Sequence, residues 1–278
     1  MRYLVARRVV QAGILALFAW GGAHAILTGN LSASVLFNRV PLSDPFAVLQ
    51  VYLASLQMSL GALLGALIIL GVYGLILGRA FCAWVCPINP IVDSASWVRR
   101  KLGFVRAYVS IPKATRYVLL ALSLILSFVL SLPAFESVSY IGIVQRGIIF
   151  GTGAWVGVGL LLFCIDTFIG DKLICSHLCP LGAFYALSGR YALLKVQHHA
   201  MRCTKCDLCL EVCPEAQVLW MVGLKSAAVN SGECTRCGRC IEVCEDDALN
   251  FSLLDFKGSF DKKSKESLAR TSSLPKTL

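Results

Sequence analysis

Cys203, Cys206, Cys209 and Cys213 stand in the spacing C-x2-C-x2-C-x3-C, and Cys234, Cys237, Cys240 and Cys244 repeat it. A close triplet of thiolates can wrap three corners of an iron–sulfur cubane, while the fourth leaves on a short helix toward a second cluster. The expected sets are therefore Cys203, Cys206, Cys209 with Cys244, and Cys234, Cys237, Cys240 with Cys213. Structural zinc sites also use paired cysteines, but a four-ligand ion gives no reason for a triplet plus a distant fourth, written twice. Pro214 follows the first run; Glu245 fills the matching place after the second and leaves the backbone there less defined. The chemistry this pattern suits is one-electron transfer through two [4Fe–4S] clusters.

A second pair of motifs lies upstream. "FCAWVCPINP" puts Cys82 and Cys86 ahead of Pro87, and "ICSHLCPLG" puts Cys175 and Cys179 ahead of Pro180, each directly after an apolar run. Thiols four apart share a helical face, and a following proline tends to interrupt the helix. Four cysteines could hold a third iron–sulfur or other metal site, act as redox thiols, or simply pack. Cys164 has no partner at useful spacing and is expected to pack as a small hydrophobe.

The elements that must position these groups are read from composition. The 278-residue chain is 57% hydrophobic and 15% charged, with mean hydropathy +0.71 and 13 cysteines. It is neither short nor loop-rich, as a disulfide scaffold would be. Its net charge of +10 sits beside apolar runs, a membrane-flanking pattern, and nucleic acid is not an expected partner. Four spans are expected near 9–27, 56–78, 117–135 and 148–169. Ten Lys and Arg residues in the N-terminus and 79–116, against only Arg39 and Arg146 in the other two connections, place both termini and the cysteine motifs in the cytoplasm. The first run could also read as a cleaved signal peptide, which would leave the remaining topology unchanged.

A unit of helix, loop, helix and CxxxCP occurs twice, so the expected fold is a mainly α integral membrane protein. Its two hairpins form parallel repeats about an axis along the membrane normal. The segments 91–104 and 181–196 have the mixed aromatic and basic character of interfacial helices. The expected domains are a membrane part over 1–198, an α+β two-cluster ferredoxin domain over 199–256, and a polar, Lys- and Ser-rich tail over 257–278, expected to be disordered.

The four helices, "FCAWVCPINP", "CSHLCPLGA", the loop "VLFNRVPLSDP" and the terminal double cysteine run together resemble the NapH-type ferredoxins, with related membrane polyferredoxins such as MauN close by. The resemblance covers most of the chain and fades in the tail. It implies a bacterial inner-membrane, multi-pass protein that oxidises quinol, menaquinol first among the candidates. It also implies partners: the quinone pool, membrane lipid, and a ferredoxin or multihaem cytochrome that delivers electrons to a periplasmic nitrate reductase. Composition and spacing by themselves reach only membrane-bound electron transfer. Ionisable residues in or near spans are functional candidates, which nominates His24, Glu136 and Asp166 for the quinol proton; interfacial anchoring competes for Asp166. Two other readings stand beside quinol oxidation: an accessory protein that matures a metalloenzyme, and an anchoring subunit with structural clusters.

Overall fold

The computed structural model describes residues 2–20, 26–103 and 111–253; His24 and the tail from 257 lie outside the described residues. Helix α1 (Arg2–Ala19) leads to an antiparallel meander of β1 (Leu27–Gly29), β2 (Ala33–Leu36) and β3 (Val40–Ser43), with Leu27 opposite Leu36 and Val35 opposite Pro41. Helix α2 (Pro45–Ser55) begins where Asp44 accepts the Ala47 amide at 3.2 Å and Pro45 presets the first turn. Helix α3 (Leu60–Leu70), capped by Ser59, continues through a π-helical stretch, Gly71–Leu77, and a tight turn into α4 (Phe81–Trp84). Helix α5 (Ile88–Lys101) starts after Pro87.

The second half repeats this plan. Helices α6 (Thr115–Leu130), α7 (Ala134–Val138), α8 (Tyr140–Phe150) and α9 (Ala154–Cys164) come first, and α9 also runs into a π-helical stretch, Ile165–Ile169. A further wide turn, Ile174–Leu178, precedes α10 (Pro180–Ser188). Wide turns of this kind cluster at functional sites, and both copies place one ahead of their CxxxCP motif. The copies also exchange partners: α5 of the first packs on α9 of the second, while α10 of the second packs on the π-helical extension of α3. That reciprocal packing surrounds one apolar core containing Phe46, Phe81, Ile88, Val92, Ile141, Val144 and Tyr185.

The C-terminal unit contains β4 (Leu194–His198), α11 (Leu208–Val212), β5 (Ala227–Ala228), α12 (Arg239–Glu242) and β6 (Leu249–Leu253). Its antiparallel sheet has the order β5-β4-β6, with Val196 opposite Phe251 and Gln197 opposite Ala228. Strand β4 therefore ties residues upstream of 199 to the ferredoxin sheet, and within 181–196 only the start, α10, is a helix of any length. Val196, Val218, Leu219, Met221, Val229 and Leu249 pack with Cys209 and Cys240 into a second core.

Among the described residues, one helical run, Leu60–Trp84, is long and apolar enough to cross a membrane. The other expected spans are shorter. Helix α6 stops at Leu130 because Ser131 turns left-handed and Pro133 follows; α8 stops at Phe150 because Gly151 does the same, so the last apolar helical run is Ala154–Ile169. Helix α1 is described only to Ala19 and carries Arg2, Arg7 and Arg8. Sixteen helical residues, Thr115–Leu130, reach about 24 Å, short of a hydrocarbon core of about 30 Å.

Candidate functional site

The two ferredoxin loops are built alike. Lys205 and Asp207 in the first, and Arg236 and Gly238 in the second, take left-handed backbone conformations between the cysteines. Alternation of this kind curls a short chain so that its amides and side chains converge on one concavity. One small cavity is lined by Cys203, Cys206, Cys209 and Cys244. A second is lined by Cys213, Cys234, Cys237 and Cys240. Both groupings follow the crossed pattern read from the spacing. The Cys244 sulfur also accepts the Ala248 amide at 3.4 Å, so the absence of proline at Glu245 does not leave that end unsupported.

No three His, Cys, Asp or Glu side chains among the described residues converge tightly enough to hold a single metal ion. Four cysteines around each cavity are the donor set that a [4Fe–4S] cluster would need. Apolar walls from Val196, Val218 and Leu219 at one cavity and Val222 and Leu249 at the other suit a cofactor whose potential depends on solvent exclusion.

The CxxxCP cysteines meet as the exchanged packing requires. Cys86 and Cys179 are buried. Burial pushes the Cys175 thiol well up, and the charges of Cys86, Cys179 and Cys82 add to it; Cys86 is likewise raised by burial and then by Cys82 and Cys179. The Cys179 sulfur accepts the Gly182 amide at 3.4 Å, which caps α10. Thiols buried this way are poor free nucleophiles, whereas a bound metal would remove their protons outright. One further cavity is lined by Cys82, Cys175 and Cys237, so the helix-end cysteines and the second ferredoxin loop share a wall.

A buried charge cluster clamps that wall. Glu215, directly after Pro214, accepts Arg79 Nη1 at 2.9 Å and Arg116 Nη1 at 2.7 Å on Oε1, and Lys113 at 2.8 Å on Oε2. Glu233, directly before Cys234, accepts Arg116 and, at 2.9 Å, the Tyr117 hydroxyl. Arg79 also donates to the Cys175 carbonyl at 3.1 Å and lies beside Cys82. Trp84 donates to the Arg236 carbonyl at 3.0 Å, and Asp93 joins Arg8 to Arg239. Gly78, with φ of 60°, leaves the space that the Arg236 guanidinium enters.

Of the ionisable candidates, Asp166 is fully buried beside Cys175 but accepts the Ile174 amide at 3.3 Å, a capping role. Glu136 bonds Ser32 at 2.6 Å in a small cavity with Asp44, away from the cysteines themselves. Asp44 accepts the Tyr185 hydroxyl at 2.8 Å, and burial lifts its carboxyl to about 6 despite that bond. Sequence reasoning missed Glu215, Arg116, Asp93 and Asp44. A carboxylate immediately after a Cys-Pro step, and an arginine just ahead of a cysteine motif, were the signals available for the clamp.

The family described as a 4Fe-4S binding domain matches residues 58–104 and 152–197, one match over each CxxxCP copy. The 4Fe-4S dicluster domain family matches residues 195–245. The methylamine utilization ferredoxin-type protein MauN of Methylobacillus flagellatus is 40% identical over 82% of each chain. The ferredoxin-type protein NapH of Haemophilus influenzae is 39% identical over 78% of this chain and 77% of its own, and that of Escherichia coli is 37% identical over 78% and 77%. No solved structure matches. Iron–sulfur domains, a mostly helical frame and likeness at this level over about four-fifths of the chain establish an iron–sulfur electron-transfer protein: it belongs to the family of NapH and MauN ferredoxin-type proteins.

Proposed function

We propose that the protein takes electrons from a quinol, menaquinol first among the candidates, and passes them through three cysteine groups to a partner redox protein. The observation that carries this reading is the shared wall of Cys82, Cys175 and Cys237 between the helix ends and the ferredoxin loops. In it, Cys203, Cys206, Cys209 and Cys244 hold one [4Fe–4S] cluster and Cys213, Cys234, Cys237 and Cys240 the other. Cys82, Cys86, Cys175 and Cys179 hold a third iron–sulfur or metal group. Such clusters, when bound, accept and release single electrons at potentials set by burial and hydrogen bonding. The chain's own residues fix the path: Glu215, Arg79 and Arg116 seat the ferredoxin loop against the helix ends, and Val196, Val218 and Leu219 wall the group of Cys213, Cys234, Cys237 and Cys240.

A membrane setting is part of the reading. Leu60–Trp84 presents most of its surface outward, with Leu60, Leu67 and Leu75 more than half exposed, and Val118, Ile125, Phe128 and Val129 on α6 do the same. Apolar area on this scale marks contact with lipid or protein. We read it as a bundle in the bacterial inner membrane, with shorter helices helped by local thinning and with the ferredoxin unit in the cytoplasm. The onward partner is a ferredoxin or multihaem cytochrome serving a periplasmic reductase, nitrate reductase if the NapH likeness is the guide.

Maturation of a metalloenzyme is the competing reading, and likenesses of 40% to MauN and 39% to NapH do not choose between the two. Deleting the gene separates the two. Under our reading the client reductase keeps its full complement of cofactors, responds normally to reduced viologen, and receives no electrons from menaquinol. A client lacking cofactor and silent to viologen would replace our reading with maturation.

A further inference from the structure

An open cleft of about 830 Å³ lies between α1, α5, α11 and α12, and includes Leu4, Arg7, Asp93 and Trp97 in its lining. None of the cysteines lines it, and neither Glu136 nor Asp166 does.

Arg7 sets the chemistry of this cleft. Its side chain is 1% exposed, and its Nη1 and Nη2 make no hydrogen bond. Nε reaches the Tyr3 carbonyl at 3.4 Å, and Nη1 stands 3.8 Å from Asp93 Oδ2, beyond hydrogen-bond range. A buried guanidinium with free N–H groups is costly, and native structures rarely keep one without an acceptor. Across the cleft, Trp97 is 53% exposed and Leu4 41%, which provides an aromatic face and an apolar edge. Four arginines (Arg7, Arg8, Arg100 and Arg239) face three carboxylates (Asp93, Glu211 and Glu242). So balanced a lining favours a neutral ring with carbonyl or hydroxyl oxygens over a phosphate.

Asp93 gives the cleft its connection to the redox groups. It lines this cleft and also the cavity shared by Cys82, Cys175 and Cys237. Arg239, which it bonds, lies between Cys237 and Cys240 in the chain and also lines both. Arg7 also lies within electrostatic reach of Cys237, so an occupant hydrogen-bonded to Arg7 would stand one side chain from the second ferredoxin loop. Helix α5 ends in Arg99, Arg100 and Lys101, as a helix lying at a membrane surface does, so an isoprenoid tail could leave the cleft into lipid.

We propose that this cleft binds the quinol headgroup, with Arg7 donating to a ring oxygen and Trp97 covering the ring. The assignment rests on the quinol reading above and locates its substrate. The test is fluorescence titration of the purified full-length protein with the quinone-site ligand 2-heptyl-4-hydroxyquinoline N-oxide, whose emission is quenched on binding. Arg7→Gln should weaken binding about tenfold, the loss of one charge-assisted hydrogen bond. Trp97→Ala should weaken it about fivefold through lost ring contact, and its exposed position keeps the change out of the packed core. Iron content and the dithionite-reduced spectrum should be unchanged in both variants. Equal binding by wild type and both variants would overturn the cleft assignment while leaving quinol oxidation standing. Absence of binding by the wild type would count against both. A phospholipid that co-purifies with the wild type and is lost from Arg7→Gln, with the quinoline titration unaffected, would overturn the assignment in favour of a lipid site.

Discussion

Replacing Cys82 and Cys179 together with alanine is expected to stop menaquinol-driven reduction while dithionite still reduces both ferredoxin clusters. The two residues come from different copies of the repeat, yet the exchanged packing puts them in one group with Cys86 and Cys175. If that group holds a third cubane, iron should fall by about four atoms per chain. The eight ferredoxin cysteines lie in separate cavities, so their iron should stay. Anaerobic reduction kinetics and iron analysis on the same sample measure both effects. Unchanged kinetics would mean that electrons bypass the helix-end cysteines, and unchanged iron would leave them as thiols.

Loss of Glu215 should have the largest effect on stability. Its side chain is 1% exposed and pairs with Arg79 and Arg116, themselves 2% and 0% exposed. Glu215→Ala would leave the buried Arg79 without a carboxylate and Arg116 with Glu233 alone, a change that costs about 3–5 kcal/mol. Glu215→Gln keeps an acceptor oxygen and should cost less. The same residue sets an acid limit. Burial alone would raise its carboxyl, but the Arg79 and Arg116 charges, with hydrogen bonds from Lys113 and Gln217, outweigh burial and hold it at about 2. In the unfolded chain a glutamate titrates near 4.3, so the ionised form is favoured by folding, on the order of 3 kcal/mol. That stability is complete above about pH 5 and is lost as pH falls toward 2. Thermal unfolding followed from pH 7 downward should show a steep acid limb in the wild type and a shallower one in Glu215→Ala. Parallel limbs would remove Glu215 from the account.

The sequence carried the cysteine chemistry well because its signal is local. Two residues separate neighbours within each triplet, and a loop of that length has few ways to turn, so the spacing points to the groups of four that line each cavity. The duplication was also legible, since CxxxCP follows an apolar run in both halves. What escaped depends on long-range meetings or on backbone breaks. Arg79 and Glu215 are 136 positions apart, and Asp44 and Tyr185 are 141 apart; no periodicity links such pairs. Hydropathy counted apolar residues across 117–135 and 148–169 but gave no weight to Ser131 and Gly151, whose left-handed backbones end α6 and α8. The π-helical stretches Gly71–Leu77 and Ile165–Ile169 were also invisible, because hydropathy does not distinguish a π-helical turn from an α-helical one.

Anaerobic electron paramagnetic resonance on the purified protein, before and after addition of menaquinol and with dithionite as reference, tests the central claim most directly. The account predicts reduced-cluster signals with menaquinol alone, of the same line shape as part of the dithionite spectrum. Signals that appear only with dithionite would contradict it, and would point to a cytoplasmic electron donor in place of the quinol.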